Sequence, residues 1–217
     1  MHEILKLLEI IGTVAFAVSG GLMAIGASLD LFGVLFVSCI TAFGGGIVRD
    51  LLLGVHPPSI FNNFPVFLVA MLTAFAVFIV AYINRKRFSV FKLQVEYVNN
   101  FFDALGLAAF TVIGSEIGYV NGFADNSFII IIIGMLTGIG GGIFRDILID
   151  TTPYVFKKHV YALTAIIGSI LYFILRKYTA NISIASLSAM VTVILLRLLA
   201  TKYRWSLPKI NIETHNK

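Results

Sequence analysis

Gly44-Gly45-Gly46-Ile47-Val48-Arg49-Asp50 returns as Gly140-Gly141-Gly142-Ile143-Phe144-Arg145-Asp146, and each copy lies inside a long apolar run. Both copies hold what a membrane helix disfavours, a run of poor helix formers and a guanidinium. The same destabilising phrase at the same relative place in two halves of a chain points to an inverted repeat and to a polar pathway through it.

The setting is a membrane. Of 217 residues 59% are hydrophobic and 12% charged, with a mean hydropathy of +0.95, which no water-facing surface accommodates. The net charge of +5 does not mark a nucleic-acid binder, because the basic residues collect at the ends of apolar segments. Cys39, the one cysteine, sits in an apolar run and reads as core packing. About 20 apolar residues cross a bilayer, and seven such runs are present: Ile4 to Ala27, Leu31 to Leu53, Phe64 to Ile83, Val98 to Val120, Phe128 to Ile149, Val160 to Leu175 and Ile182 to Ala200. The first is read as a span, not a cleaved leader, since six comparable segments follow it.

The fold expected is therefore all-α and integral to the membrane, a single domain over 1–203 followed by a cytoplasmic tail, 204–217. Its halves are repeat one, about 4–84, and repeat two, about 98–176, with an extra helix over 182–200. Gly12, Phe16 and Gly20 match Gly106, Phe110 and Gly114 at an offset of 94, and Gly44, Arg49, Asp50 and Pro57 match Gly140, Arg145, Asp146 and Pro153 at an offset of 96. Three spans per unit, an odd number, make the second unit enter the membrane inverted. Leaving aside the in-span Arg49, Arg145 and Arg197, one side carries Arg85, Lys86, Arg87, Lys92, Lys157, Lys158, Lys202, Arg204, Lys209 and Lys217, and the other only Lys6, Arg176 and Lys177. Positive charge stays inside, so the C-terminus is expected in the cytoplasm and the N-terminus outside.

Each glycine gives up about 0.8 to 1 kcal/mol of helix preference relative to alanine. A triplet can kink or unwind its helix, exposing carbonyls to a wet passage, or it can serve close helix packing. The repetition and the adjacent Arg-Asp favour a kinked, pathway-lining role for Gly44, Gly45, Gly46, Gly140, Gly141 and Gly142. Thr41 and Thr137, three residues before the triplets, can add hydroxyl oxygens to that pathway or bond their own backbone. Neither triplet opens a phosphate-binding motif, because Ile143 replaces the last glycine of a dinucleotide fingerprint and no Gly-Lys-Ser/Thr follows.

Neighbouring helical residues point about 100° apart, so Arg49 and Asp50, like Arg145 and Asp146, are not expected to pair with each other. Depth suggests Arg49 with Glu116 and Arg145 with Asp103 as cross-helix pairs, the alternative being arginines that snorkel to headgroups. Glu9 and Arg197 read as residues reaching the two membrane surfaces. Arg85, Lys86, Arg87, Lys92, Lys157 and Lys158 form a basic patch suited to anionic lipid, which positive-inside bias alone also produces. His2, His56, His159 and His215 show no ligand spacing, and no nucleophile stands at motif spacing from a base, so neither a metal site nor an enzyme is expected.

The doubled Gly-Gly-Gly-Ile-x-Arg-Asp phrase and the three-plus-three-plus-one layout resemble the prokaryotic branch of the trimeric intracellular cation (TRIC) channel family, which has also been labelled glycine transporter and UPF0126-type membrane protein. The resemblance runs to about Tyr203. It implies a homotrimer in the prokaryotic plasma (inner) membrane, a potassium-permeable pore in every subunit, and helices two and five kinked at their glycines. No cofactor is implied; the partners are a second and third copy, membrane lipids and the monovalent cations K+ or Na+ in transit. A secondary transporter of a small amino acid such as glycine is the alternative, since inverted repeats with broken helices suit it equally, and an assembly protein of the membrane is a third reading.

Overall fold

Hydropathy and caps together set where the helices start and stop. In a computed structural model, which describes residues 3–85, 92–157, 160–179 and 181–205, seven helices are long and apolar enough to span a bilayer. They are α1 Glu3–Gly26, α2 Leu31–Leu52, α3 Phe64–Ile83, α4 Lys92–Gly118, α5 Ser127–Leu148, α6 Tyr161–Thr179 and α7 Ile182–Lys202. A short 3-10 turn, Ser59–Asn62, and one helical turn, Tyr154–Lys157, occupy equivalent places after α2 and α5. The expected spans hold to within a few residues, except that α4 starts six residues early. Its first turns are polar and invisible to a hydropathy criterion.

The repeat extends to the helix ends. Asp30 caps α2 by accepting from the Gly33 amide at 2.8 Å, and Asn126, its counterpart at the offset of 96, caps α5 by accepting from the Ile129 amide at 3.2 Å. Gly54 and Asp150, again equivalent, both leave their helices in the left-handed region, with φ of 71° and 54°.

α4 is the central post. Its most apolar stretch is 78% buried, against 17% for α3, whose Leu68, Leu72, Phe75 and Ile79 face outward onto what must be lipid or another subunit. Each central helix packs on its own repeat counterpart. Phe16 stacks on Phe110, its equivalent, with ring centroids 5.4 Å apart. A Cβ added at Gly12 would meet the Phe110 ring, and one added at Gly106 would meet the Phe16 ring. α2 and α5 repeat the pattern: a Cβ at Gly45 would overlap the Thr137 carbonyl oxygen, and a Cβ at Gly141 would overlap the Thr41 carbonyl oxygen. In every such pair a step forward on one helix is a step back on the other. The partners therefore run antiparallel about a two-fold axis, the signature of inverted repeats.

This contact fits the close-packing reading of the triplets. α2 and α5 remain helical through Gly44, Gly45, Gly46 and Gly140, Gly141, Gly142, and the first two glycines of each triplet are buried in the crossing. Gly44 accommodates the Phe144 ring and Gly140 lies on the Gly45 Cα. Missing side chains let two backbones touch, and in lipid the helical hydrogen bonds have no water to compete with them, so the low intrinsic preference of glycine does not unwind the turn. The third glycines face away from the crossing: the nearest atom to a Cβ at Gly46 is Arg49 Nη2, 3.7 Å away, and a Cβ at Gly142 would meet the Tyr161 hydroxyl at 3.1 Å.

Gly45→Ala must push a carbonyl aside, at a cost of about 1 to 3 kcal/mol, whereas Gly46→Ala has room and gains up to about 1 kcal/mol of helix preference. Thermal unfolding of the solubilised protein should show the first variant less stable than the parent and the second equal or more stable; equal losses in both would refute the distinction.

Candidate functional site

The arginine and aspartate that end each motif do bond to one another, contrary to the helical-wheel expectation. Arg49 Nε donates to Asp50 Oδ1 at 2.8 Å, and Arg145 Nε donates to Asp146 Oδ1 at 2.8 Å. The wheel separates Cβ directions by about 100°, but a guanidinium on a long flexible stem swings back over its neighbour. The other carboxylate oxygen anchors the following loop: Asp50 Oδ2 accepts from the Ser59 amide at 2.7 Å and hydroxyl at 2.6 Å, and Asp146 Oδ2 accepts from the Tyr154 amide at 2.7 Å. Each aspartate thus neutralises the arginine and pins the loop to the helix end.

Arg145 continues inward. Its Nη1 donates to Asp103 Oδ1 at 2.7 Å, the expected cross-helix pair, and to Ser19 Oγ at 2.6 Å, whose own hydroxyl donates to Asn99 Oδ1 at 2.8 Å. Arg197 is not a surface anchor. It is 2% exposed, holds Nη2 3.6 Å from Asp103 Oδ2, and lies 4.4 Å over the Tyr161 ring. Two buried arginines and two buried aspartates, Asp103 and Asp146, balance in charge at this end of the bundle. Burial at this depth is tolerable because the charges are paired.

At the opposite end the expected Arg49–Glu116 pair gives way to Arg49–Asp50. Glu116 instead accepts from the Tyr172 hydroxyl and from Arg176 Nε at 3.2 Å, on the far side of α4. Besides Asp50, a second carboxylate, Glu9, lines the cavity that Arg49 borders. It was legible: the offset of 94 that pairs Phe16 with Phe110 also pairs Glu9 with Asp103, the partner of Arg145. Thr41 and Thr137 donate to the carbonyls of Val37 and Ile133, each at 2.6 Å, and so serve their own helices. In the basic patch, Arg85 borders a cavity; Lys86, Arg87 and Lys158, the side chains of Lys92 and Lys157, and the tail from 206 onward lie outside the described residues.

Two cavities flank the crossing. One of about 60 Å³ lies at the Arg49 end, lined by Glu9, Thr13, Gly46, Arg49, Asp50 and Phe110. The other, about 950 Å³, opens at the Arg145 end beside Met23, Tyr82, Glu96, Asn99 and Tyr154. On α1 they stop at Thr13 and Leu22, roughly 13 Å apart at 1.5 Å per residue. The waist between them holds the stacked Phe16 and Phe110 and the glycine crossing. Two vestibules of one subunit thus approach each other from either side of the stacked phenylalanines and the glycine crossing.

A family model described as glycine transporter matches residues 6–82 and again 100–177, once on each repeat. A UPF0126 membrane protein of Vibrio cholerae is 37% identical over 206 residues, 95% of this chain and 82% of its own. The UPF0126 inner membrane protein YadS of Escherichia coli is 34% identical over 212 residues, 97% of this chain and 98% of its own. Among solved structures, a prokaryotic TRIC channel crystallised in 0.5 M KCl superposes with a TM-score of 0.84 at 32% identity, covering 95% of this chain and 100% of that one. A second, described as the structural basis for conductance through TRIC cation channels, superposes with a TM-score of 0.82 at 34% identity, over 96% and 98% of the two chains. With its fold that of the TRIC cation channels, this chain belongs to the family described as glycine transporter, the UPF0126 membrane proteins.

Proposed function

We propose that the protein is a monovalent cation channel, permeable to potassium, with one pathway in each subunit of a homotrimer. The pathway runs from the small vestibule at Arg49 to the large one at Arg145. By the distribution of Lys and Arg, the first faces outward and the second faces the cytoplasm. The observation that carries the reading is charge neutralisation. Arginines beside a cation path repel the ion unless a carboxylate holds them, and here Asp50 holds Arg49 while Asp103 and Asp146 hold Arg145. The structural neighbours named for cation conductance, and for trimeric assembly in the orthologue from Rhodobacter sphaeroides, support the same reading.

The triplets act here as the closed waist. Conduction requires α2 and α5 to part at Gly45 and Gly141, and helices poor in intrinsic preference bend there at the lowest cost. A glycine carrier is the second reading, favoured by the family description and by vestibules that lie on either side of one closed contact, as alternating access requires.

Purified protein in planar bilayers should give unitary potassium currents that reverse at the Nernst potential. Silence there, with saturable glycine uptake into vesicles, would instead establish the carrier. Asp103→Asn leaves Arg145 and Arg197 with one carboxylate fewer, so cation conductance should fall at least about tenfold and stability by roughly 3 to 5 kcal/mol. Unchanged conductance in that variant would remove the neutralisation argument.

A further inference from the structure

The two-fold axis allows one half of the molecule to be read against the other. Asp103 holds two cations, the repeat arginine Arg145 at 2.7 Å and Arg197 at 3.6 Å. Arg197 comes from α7, which lies outside the repeat, so the axis supplies no second cation beside Glu9, the equivalent of Asp103. The Arg49 end has instead a cavity with Glu9 in its wall.

A second observation concerns Thr13, one helical turn beyond Glu9 on the same face of α1. Some buried hydroxyls in this bundle bond the carbonyl four residues earlier, Thr41 that of Val37, Ser115 that of Thr111 and Thr137 that of Ile133, while those of Thr13, Ser38 and Thr111 have no partner. Of these three, Thr13 lies at the cavity. Its side chain is fully buried, its Oγ1 has no hydrogen-bond partner, and it lines the same cavity. An orphan hydroxyl in such a place costs about 1 to 3 kcal/mol unless something in the cavity meets it. The Nε and Nη2 of Arg49 are engaged by Asp50 and Ser59.

We infer that Glu9 and Thr13 form a binding site for a partly hydrated monovalent cation, filling the place that Arg197 takes beside Asp103. The inference rests on the channel reading for its role, a first station on the pathway, but not for its existence. One carboxylate and one hydroxyl beside a neutral Arg49–Asp50 pair supply a single net negative charge and few fixed oxygens. That suits K+ or Na+, which keep water; a divalent ion asks for more carboxylates. A volume of about 60 Å³ exceeds the 10 to 15 Å³, approximately, that one water needs, so the ion can enter with part of its shell.

The full-length protein in planar bilayers tests the role. In about 20 mM KCl, where a fixed charge concentrates cations most strongly, Glu9→Gln should lower unitary conductance roughly threefold. The deficit should vanish near 1 M, and Glu9→Asp should restore most of the current. Equal conductance of parent and Glu9→Gln at low salt would overturn the role. Crystals soaked in RbCl test the site apart from any current: anomalous density between the Glu9 carboxylate and Thr13 Oγ1 in the parent, lost in Glu9→Gln, supports it, and its absence in the parent refutes it. If the parent carries no current, the channel reading fails while the Rb+ experiment still decides the site. Should Glu9→Gln not assemble, the isosteric Thr13→Val is put through both measurements, with the same directions expected.

Discussion

Everything in this bundle is arranged around a backbone-to-backbone contact in which the absent side chains of Gly45 and Gly141 let α2 and α5 cross against the carbonyls of Thr137 and Thr41. Any side chain there would overlap a carbonyl oxygen. Because the contact is reciprocal about the repeat axis, it fixes the antiparallel placement of the two units. Phe16 and Phe110, Gly12 and Gly106 then meet as equivalents. The same contact sets the distance between the vestibules.

The charged residues divide along this frame. Each Arg-Asp pair is first a structural device, in which the aspartate ties the loop after α2 or α5 to its helix while covering the arginine. The half that contacts α7 adds Arg197 and becomes a sealed, balanced cluster with Asp103 at 0% exposure. The half without such a helix keeps a carboxylate, Glu9, in a cavity. A seventh helix outside the repeat thus makes two equivalent halves chemically unequal, one closed by a protein cation and the other left for a cation from solution. An asymmetry of this kind suits a pathway that faces different solutions at its two ends.

Much of the fold was legible from residues alone, because apolar runs of membrane length and a doubled motif leave few arrangements open. The Arg145–Asp103 pair was also legible, from depth in the membrane. Three features were not. The wheel argument separated Arg49 from Asp50 by treating long side chains as rigid spokes. Arg197, near a span end, was read by the usual habit of such arginines, and only the fold shows it turned onto Asp103 and Tyr161. Local preference favours a kink over close packing at the triplets, whereas tertiary packing in a medium without water keeps them helical. Glu9 is the instructive case: the offset that relates the phenylalanines identifies it without coordinates.

On the proposed route, α2 and α5 must part for ions to pass. A Cβ at position 44 would lie 3.5 Å from the Cγ of Phe144, close to where a cysteine sulfur sits, so Gly44→Cys with Phe144→Cys brings two thiols together across the crossing once Cys39 is replaced by serine. Single-channel recording of that variant, oxidised and then reduced in the same bilayer, is the decisive measurement. The crossing model predicts silence when the bridge is closed and current on reduction; full current through the bridged protein would contradict it.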